Sequence, residues 1–287
     1  MSTLFIIGNG FDCHFQLHTT VCDFKSYLSD EYDYDGNNLL DVLEGYGVDW
    51  GEYEDSLSEI ELREIEERIV YPNYLSDHES DRDGGIFEME CYTESLRGGV
   101  FSALNNMISD ANEDLTKIKL QSPFYNEEDA ILSFNYTSTI ERLFFPLRHI
   151  PILHIHGFWE NNDNLIFGYR NGNGEYESYL KHIPDENHDY YVDSQQEKIL
   201  ALYRSLKKEL KLDVLQNYIQ KFNFDKIAVL GHSMSPVDRE YMEMIERTTH
   251  PKEWEVSAFK GNPSKKQLST YSFSSKIKII KVEDYLR

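Results

Sequence analysis

Cysteine is scarce in this sequence, which has only Cys13, Cys22 and Cys91 among its 287 residues. Three cysteines are too few for a disulfide framework or for a four-cysteine zinc module. Long apolar runs are also lacking, because the longest are of the type Leu4-Phe5-Ile6-Ile7, which is too short to span a bilayer. That run follows Met1-Ser2-Thr3 directly and leaves no room for a signal peptide, so a cytoplasmic location is expected.

Positive charge is scarce as well. The chain carries 28 basic against 51 acidic residues, which gives a formal net charge of −23. Non-specific binding to nucleic acid or to anionic membranes requires a basic surface, so we expect neither partner. Hydrophobic residues make up 40% of the chain, which is enough for a folded core and argues against general disorder.

Short apolar runs alternate with helical patterns along the chain. The runs predict buried strands at about 4–7, 130–134, 151–155, 165–167, 226–230, 254–259 and 276–280. Strands that alternate with helices predict an α/β, Rossmann-like fold with a mostly parallel sheet and helices on both faces. We expect one domain over residues 1–287, with a helical insertion at about 30–125 and a lid loop at about 170–193. A single helix is predicted from Gln195 to Tyr218.

Small or polar residues follow four of the predicted strands. These strand ends are Gly8-Asn9-Gly10-Phe11-Asp12, Asn135-Tyr136-Thr137, His154-Ile155-His156-Gly157 and Gly231-His232-Ser233. Ligands of open parallel sheets bind at the carboxyl ends of the strands, so the four ends predict one site. Their convergence, rather than any single motif, is the basis of this prediction.

Each of these features also has a purely structural interpretation. The glycine turn at Gly8 and Gly10 could hold a phosphate or simply be a tight turn, and Cys13 stands where a dinucleotide fingerprint has its third glycine. Asn135 could form an Asx turn, and Thr137 could cap the following helix. Asp238 could cap the helix that follows Gly231-His232-Ser233, or it could bind a ribose hydroxyl.

His154 and His156 are two residues apart, so on a strand they would share one side. They could bind a metal there, but no Asp, Glu or Cys stands at a recognisable ligand spacing, and we expect no metal. His156 precedes Gly157 at the exit of the strand and is the better candidate for a catalytic base, because histidine titrates close to neutral pH. Trp50 and Glu54 are interpreted mainly as packing residues.

Taken together, these segments resemble the AbiH family of bacterial abortive-infection proteins. The resemblance runs from the N-terminus to about residue 245. It rests on Phe5–Asp12, Trp50–Glu54, Leu132–Thr137, His154–Gly157 with Phe167-Gly168, and Gly231–Ser235 with Asp238.

That family is similar in turn to proteins with the sirtuin-like NAD-binding fold. The similarity implies that Gly8 and Gly10 hold phosphates, that Asn135 positions a ribose or a water molecule, and that His156 acts as a base. The residues predicted to bind the nucleotide are Gly8, Asn9, Gly10, Phe11, Asp12, Thr137, Gly231, His232, Ser233 and Asp238. Three cysteines cannot form the zinc site of sirtuin deacetylases, and Asp12 stands where that fold more often has a small hydroxyl residue.

The resemblance implies an anti-phage effector that hydrolyses NAD, its substrate, to nicotinamide and ADP-ribose, with Asn135 and His156 as catalytic residues. A second hypothesis is a sensor or scaffold that binds NAD or ADP-ribose without cleaving it. A third is a metal-dependent phosphoesterase or nuclease that uses His154, His156 and carboxylates. A homo-oligomer or a defence-system partner protein is expected in addition to the nucleotide.

Overall fold

A parallel six-stranded sheet is the central element of the fold. The computed structural model describes residues 2–144, 150–161, 164–172, 174–183, 189–258 and 262–286. The strands are β1 Thr3–Ile7, β2 Ala130–Ser133, β3 Ile152–His154, β4 Lys226–Leu230, β5 Glu253–Ser257 and β6 Ile277–Ile280. Buried, mainly apolar runs form β1, β2 and β4, because both faces of the sheet are covered there and no polar alternation is required.

The strand order is β3-β2-β1-β4-β5-β6, and all neighbouring strands are parallel. The order reverses at β1, which pairs with β2 on one side and with β4 on the other. In doubly wound sheets this reversal opens a crevice at the carboxyl ends of the two central strands, and nucleotides bind there. The order therefore directs attention to the residues that follow β1 and β4.

Helices account for most of the remaining regular structure in the described ranges. They are α1 Asn9–His14, α2 Val21–Leu28, α3 Leu39–Gly45, α4 Leu62–Glu66, α5 Ser80–Asp114, α6 Thr139–Leu143, α7 Glu175–His182, α8 Tyr190–Ser205, α9 Leu212–Ile219, α10 Arg239–Thr249 and α11 Lys265–Leu268. Trp50–Glu59 forms a 3₁₀-helix.

Two hydrophobic cores cover the two faces of the sheet. Leu4 and Ile6 of β1 belong to the core that α9 and α10 cover, whereas Phe5 and Ile7 belong to the core that α1 and α6 cover. Successive strand residues point to opposite faces, so a continuous apolar run supplies both cores at once. The predicted fold class, an α/β Rossmann-like fold with helices on both faces, is confirmed.

The chain divides into two compact units. The first comprises Met1–Thr20, Met107–Ile166 and Leu210–Arg287, and it contains all six strands of the sheet. The second comprises Val21–Asn106 and Phe167–Glu209 and is mainly helical. The predicted division of the chain stays a prediction. It consists of a single domain with a helical insertion at about 30–125 and a lid loop at about 170–193.

Three secondary-structure predictions were wrong. Residues 165–167 form no strand, and Ile166 instead donates its N–H to the His156 carbonyl from a loop. The predicted loop at 170–193 contains α7 and the start of α8, with 173 and 184–188 outside the described residues. Here Tyr179, which is fully buried, supplies the apolar face that the polar composition concealed. The helix predicted from Gln195 to Tyr218 is interrupted after Ser205.

Candidate functional site

The four predicted strand ends meet at the carboxyl edge of the sheet, within the first compact unit. The turn after β1 packs directly on the turn after β4: Gly8 N–H donates to Leu230 O at 3.1 Å, and Gly10 N–H donates to Gly231 O at 2.7 Å. A Cβ atom on Gly8 would lie 2.5 Å from the Cα of His232. Glycine is therefore required at Gly8 because two backbone segments touch there.

This packing bears on the choice between a phosphate cradle and a tight turn. The N–H groups of Gly8 and Gly10 are already used between the two turns, and Phe11 N–H donates to Gly8 O at 2.8 Å. Asn9 and Gly10 are nevertheless exposed, and the Asn9 side chain donates to Thr19 O at 2.7 Å. A ligand thus has access to the outer surface of the turn, while its inner N–H groups hold the fold together.

Asp12 is the centre of a buried polar network. Its side chain accepts hydrogen bonds from the hydroxyl groups of Thr137 at 2.7 Å and Thr139 at 2.6 Å. Thr137 therefore does not cap α6 as predicted, since Ser138 occupies the N-cap and the Thr137 hydroxyl is committed to Asp12. The network fastens α1 to the start of α6, across 125 residues of chain.

Burial raises the pKa of Asp12 from its ordinary 3.8 to about 6. Removing the carboxylate from water favours its neutral form, while hydrogen bonds from Thr139, Thr137 and Asn135 act in the opposite direction and only partly compensate. A carboxyl group that titrates close to neutral pH is a feature of functional sites. Asp12 is therefore of chemical interest, although the sequence predicted it only as a nucleotide contact.

Asp12→Asn tests this raised pKa through stability. Between pH 3.8 and about 6 the folded chain keeps the Asp12 proton that the unfolded chain has released. Asp12 therefore lowers the free energy of unfolding as the pH rises through this window. The free energy of unfolding of the variant, minus that of wild type, should therefore increase by about 3 kcal/mol between a pH below this window and a pH above it. Urea unfolding of both proteins at several pH values measures this difference.

The control for this prediction is Asp213→Asn, which makes the same chemical change at an exposed position on α9. Its stability difference from wild type should show no comparable change over the same pH range. A constant difference between Asp12→Asn and wild type across the window would contradict the raised pKa.

Asn135 joins the ends of β1 and β2. Its side-chain nitrogen donates to Gly8 O at 3.2 Å, and its amide also hydrogen-bonds to Asp12. These partners are distant in sequence, so neither an Asx turn nor a helix cap describes the side chain. The backbone carbonyl of Asn135 meets Nδ1 of His154 at 3.1 Å. Asn135 is buried, at 6% exposure.

His156, Asp238 and His232 form a second cluster at this edge, called here the His–Asp–His group. Asp238 Oδ1 lies 3.4 Å from His156 Nε2, and Asp238 Oδ2 lies 3.3 Å from His232 Nε2. All three residues are buried, with exposures of 4%, 7% and 5% for His156, Asp238 and His232. Asp238 occupies the N-cap of α10, but its side chain makes no capping bond, because the carboxylate is turned toward the two imidazoles.

His154 has different partners from His156. Strand β3 ends at His154, so His156 lies beyond the strand, and strand alternation does not relate the two side chains. His154 Nε2 lies 2.8 Å from Glu141 on α6, and its ring stacks on Phe158 with centroids 4.2 Å apart. Among the described residues no group of three His, Cys, Asp or Glu side chains is placed to hold a metal ion.

Phe11 and Ser233 are two further predicted residues. Phe11, on α1, is fully buried in the core that α1 and α6 cover, and Ser233 is exposed in the turn after β4. In the second unit, Trp50 packs edge-on against Phe24 with centroids 5.5 Å apart. Glu54, also in that unit, forms an ion pair with the fully buried Lys208, at 2.7 Å. These contacts agree with the interpretation of Trp50 and Glu54 as packing residues.

Sequence reasoning missed two residues of the site, Phe134 and Thr139. The Phe134 ring contacts His156 and His232 edge-on, with centroids 5.0 and 4.4 Å apart. A phenylalanine at the end of an apolar strand carries no signal that separates this role from ordinary packing. Thr139 could have been found from the hydroxyl-rich sequence Thr137-Ser138-Thr139 that opens α6.

The strand order, the two covered faces and the polar residues at the carboxyl edge define a protein with a Rossmann-like α/β fold. The chain belongs to the family described as bacteriophage abortive infection AbiH, whose sequence model matches residues 4–258. Membership indicates a role in defence against phage by abortive infection. A comparison with curated proteins found no match.

In the described part of the chain, every helix is too short or too polar to cross a membrane.

Proposed function

We propose that this protein hydrolyses NAD to nicotinamide and ADP-ribose as part of abortive infection. The observation that carries the proposal is the contact between His156 Nε2 and Asp238 Oδ1, at 3.4 Å, beside the crevice between β1 and β4. A histidine oriented by a buried carboxylate is a common form of general base. The proposal is supported by the place of both residues after the carboxyl ends of strands, since ligands of doubly wound sheets bind at that edge.

The proposal includes a relationship to the sirtuin-like NAD-binding fold. It is supported by the order of the motifs along the chain and by the glycine turn that follows β1. Because Gly8 and Gly10 already donate to the turn after β4, we place the NAD diphosphate over the exposed surface of Asn9 and Gly10. Ser233, also exposed at this edge, is available as a further contact.

In this mechanism the bond between the ribose C1′ and the nicotinamide nitrogen breaks, and its electron pair stays with that nitrogen. Nicotinamide carries a positive charge before the cleavage and leaves as a neutral molecule, so no general acid is needed. This is why the paired carboxylic acids of ordinary glycosidases are unnecessary. Water forms the new bond to C1′ and passes its proton to His156, a step worth about 10²–10⁴-fold in rate.

The proposal assigns the ribose hydroxyl groups and the orientation of the water to Asn135. Its amide nitrogen already donates to Gly8 O, so the amide oxygen is the atom proposed to contact the substrate. The transition state resembles an oxocarbenium ion, which nearby negative charge favours. Asp12 and Asp238, both buried at this edge, are the carboxyl groups proposed to supply that charge.

The experiment is to incubate the purified protein with NAD and to follow nicotinamide and ADP-ribose by chromatography. Equal amounts of the two products are expected. An active NAD hydrolase is toxic to its own cell. The proposal therefore includes inhibition of the hydrolase activity by a second copy of the chain or by a defence-system partner. NAD is therefore also measured in cells that express the protein. Full NAD levels in those cells, together with no product in vitro, would contradict hydrolysis.

A second candidate is a sensor that binds NAD or ADP-ribose without cleaving it. The specific observation in its favour is that the N–H groups of Gly8 and Gly10 and the amide nitrogen of Asn135 are all used within the fold. Calorimetry distinguishes the candidates, since binding without product favours the sensor. An absence of both binding and product would contradict both.

A further inference from the structure

The two ring nitrogens of His232 have different partners. Nδ1 accepts a hydrogen bond from the backbone N–H of Met234, at 2.9 Å in a buried environment. An imidazole nitrogen that accepts carries no proton, so the proton of the neutral ring is on Nε2. Nε2 lies 3.3 Å from Asp238 Oδ2, within reach of a hydrogen bond to that oxygen. The backbone of Met234 thereby selects the tautomer of His232.

The surroundings of His232 hold this arrangement in place. The ring of Phe134 meets the imidazole edge-on, with centroids 4.4 Å apart. On the other side Gly8 provides the space, since a Cβ there would lie 2.5 Å from the Cα and 2.7 Å from the Cβ of His232. Met234 itself has a positive φ of 55° and is buried, so the turn that presents its N–H is fixed by packing.

We propose that His232 is a positioning residue: as a neutral Nε2–H donor it orients the Asp238 carboxylate so that the other oxygen faces His156. Without a donor at Oδ2 the carboxylate could turn about its own bond and lose its alignment with His156 Nε2. In metal sites, the outer-shell partners that orient a ligand typically contribute about 10–100-fold to affinity or activity, and we expect an effect of similar size for the donor to Asp238. His232 thus supports the base rather than binding nucleotide.

The inference builds on the proposed function only where it concerns rates. The tautomer of His232 and its effect on His156 are properties of the protein alone and can be measured without NAD. The first measurement is therefore a long-range ¹H–¹⁵N spectrum of the ¹⁵N-histidine-labelled full chain at neutral pH. We expect His232 to show an unprotonated Nδ1 and a protonated Nε2. A proton on Nδ1 would overturn the proposal.

The second measurement compares His232→Gln with His232→Asn. The glutamine side-chain N–H₂ can reach the position of Nε2 and still donate to Asp238. The asparagine oxygen instead matches Nδ1, so it keeps the bond from Met234 but loses the donor. We expect the His156 nitrogen signals to remain as in wild type in His232→Gln and to change in His232→Asn. Unchanged His156 signals in both folded variants would overturn the proposal.

Turnover provides a third readout if wild type hydrolyses NAD. The kcat of His232→Gln should then exceed that of His232→Asn by about 10-fold, with KM less affected, since His232 acts through Asp238. Equal kcat values would overturn the positioning role. An inactive wild type with the expected tautomer and the expected His156 signals, together with full NAD levels in cells that express the protein, would instead contradict NAD hydrolysis and leave the positioning of Asp238 established.

Discussion

His156→Ala is expected to abolish NAD turnover, with a loss of at least about 10²–10⁴-fold in kcat. The substitution removes the group that takes up the proton of the attacking water. It also removes the partner of Asp238 Oδ1 at 3.4 Å. The variant should still fold, because the six strands and both sheet cores are unchanged. Nicotinamide release measured by chromatography, beside a thermal unfolding curve, tests both expectations.

The matched control for His156 is His78→Ala, since His78 is exposed and lies outside the first unit. Turnover by this control should equal that of wild type. A folded His156→Ala variant with wild-type turnover would remove His156 from the mechanism.

Asn135→Ala is the companion variant and should also abolish turnover. The structure adds a stability cost, because Gly8 O would keep only the bond from Phe11 N–H, and Asp12 would lose one of its hydrogen bonds. Each lost hydrogen bond costs about 0.5–1.5 kcal/mol. Activity is therefore compared at a temperature at which the unfolding curve shows the variant to be folded. Wild-type turnover there would exclude Asn135 from catalysis.

Gly231→Ala is expected to lower the free energy of unfolding by about 4 kcal/mol, or to prevent folding. Gly231 has a φ of +71°, and a Cβ atom there would lie 2.1 Å from the backbone nitrogen of Phe11. The obstruction is backbone rather than a flexible side chain, so the turns after β1 and β4 would have to separate. Urea unfolding followed by circular dichroism measures the loss.

Gly36→Ala separates the cost of the clash from the cost of the dihedral angle. Gly36 has a similar φ of +82°, but nothing lies within 4 Å of the Cβ position. Only the backbone strain remains there, so a loss of about 1 kcal/mol is expected. If Gly231→Ala cost no more than Gly36→Ala, the close packing of the two turns would be refuted.

The sequence by itself determined the α/β class and the identity of most strands. Runs such as Leu4–Ile7 and Ile227–Leu230 are apolar at every position, which is the signature of strands buried on both faces. The polar and glycine residues after these runs identified the carboxyl edge, because strand ends and turns are local features. Local chemistry was also sufficient to single out Asn135 and His156 as residues at that edge.

Local chemistry was insufficient where tertiary contacts decide the conformation of a short segment. Leu165–Phe167 has the composition of a strand, but no neighbouring strand pairs with it. The polar stretch around Glu175–His182 has the composition of a loop, yet it is helical because Tyr179 is buried. In both cases tertiary packing, which the sequence window does not contain, outweighs local propensity.

The tertiary structure alone decided how the site is assembled. The pairing of Asp238 with His156 and His232, and of Asp12 with Thr137 and Asn135, joins residues that are far apart along the chain. The same holds for the N–H groups of the glycine turn, which are used by the backbone after β4. A sequence specifies which groups can donate or accept, but the partner of each is chosen by the strand order. That order, with β4 beside β1, follows from packing both sheet faces at once and is not encoded in any one segment.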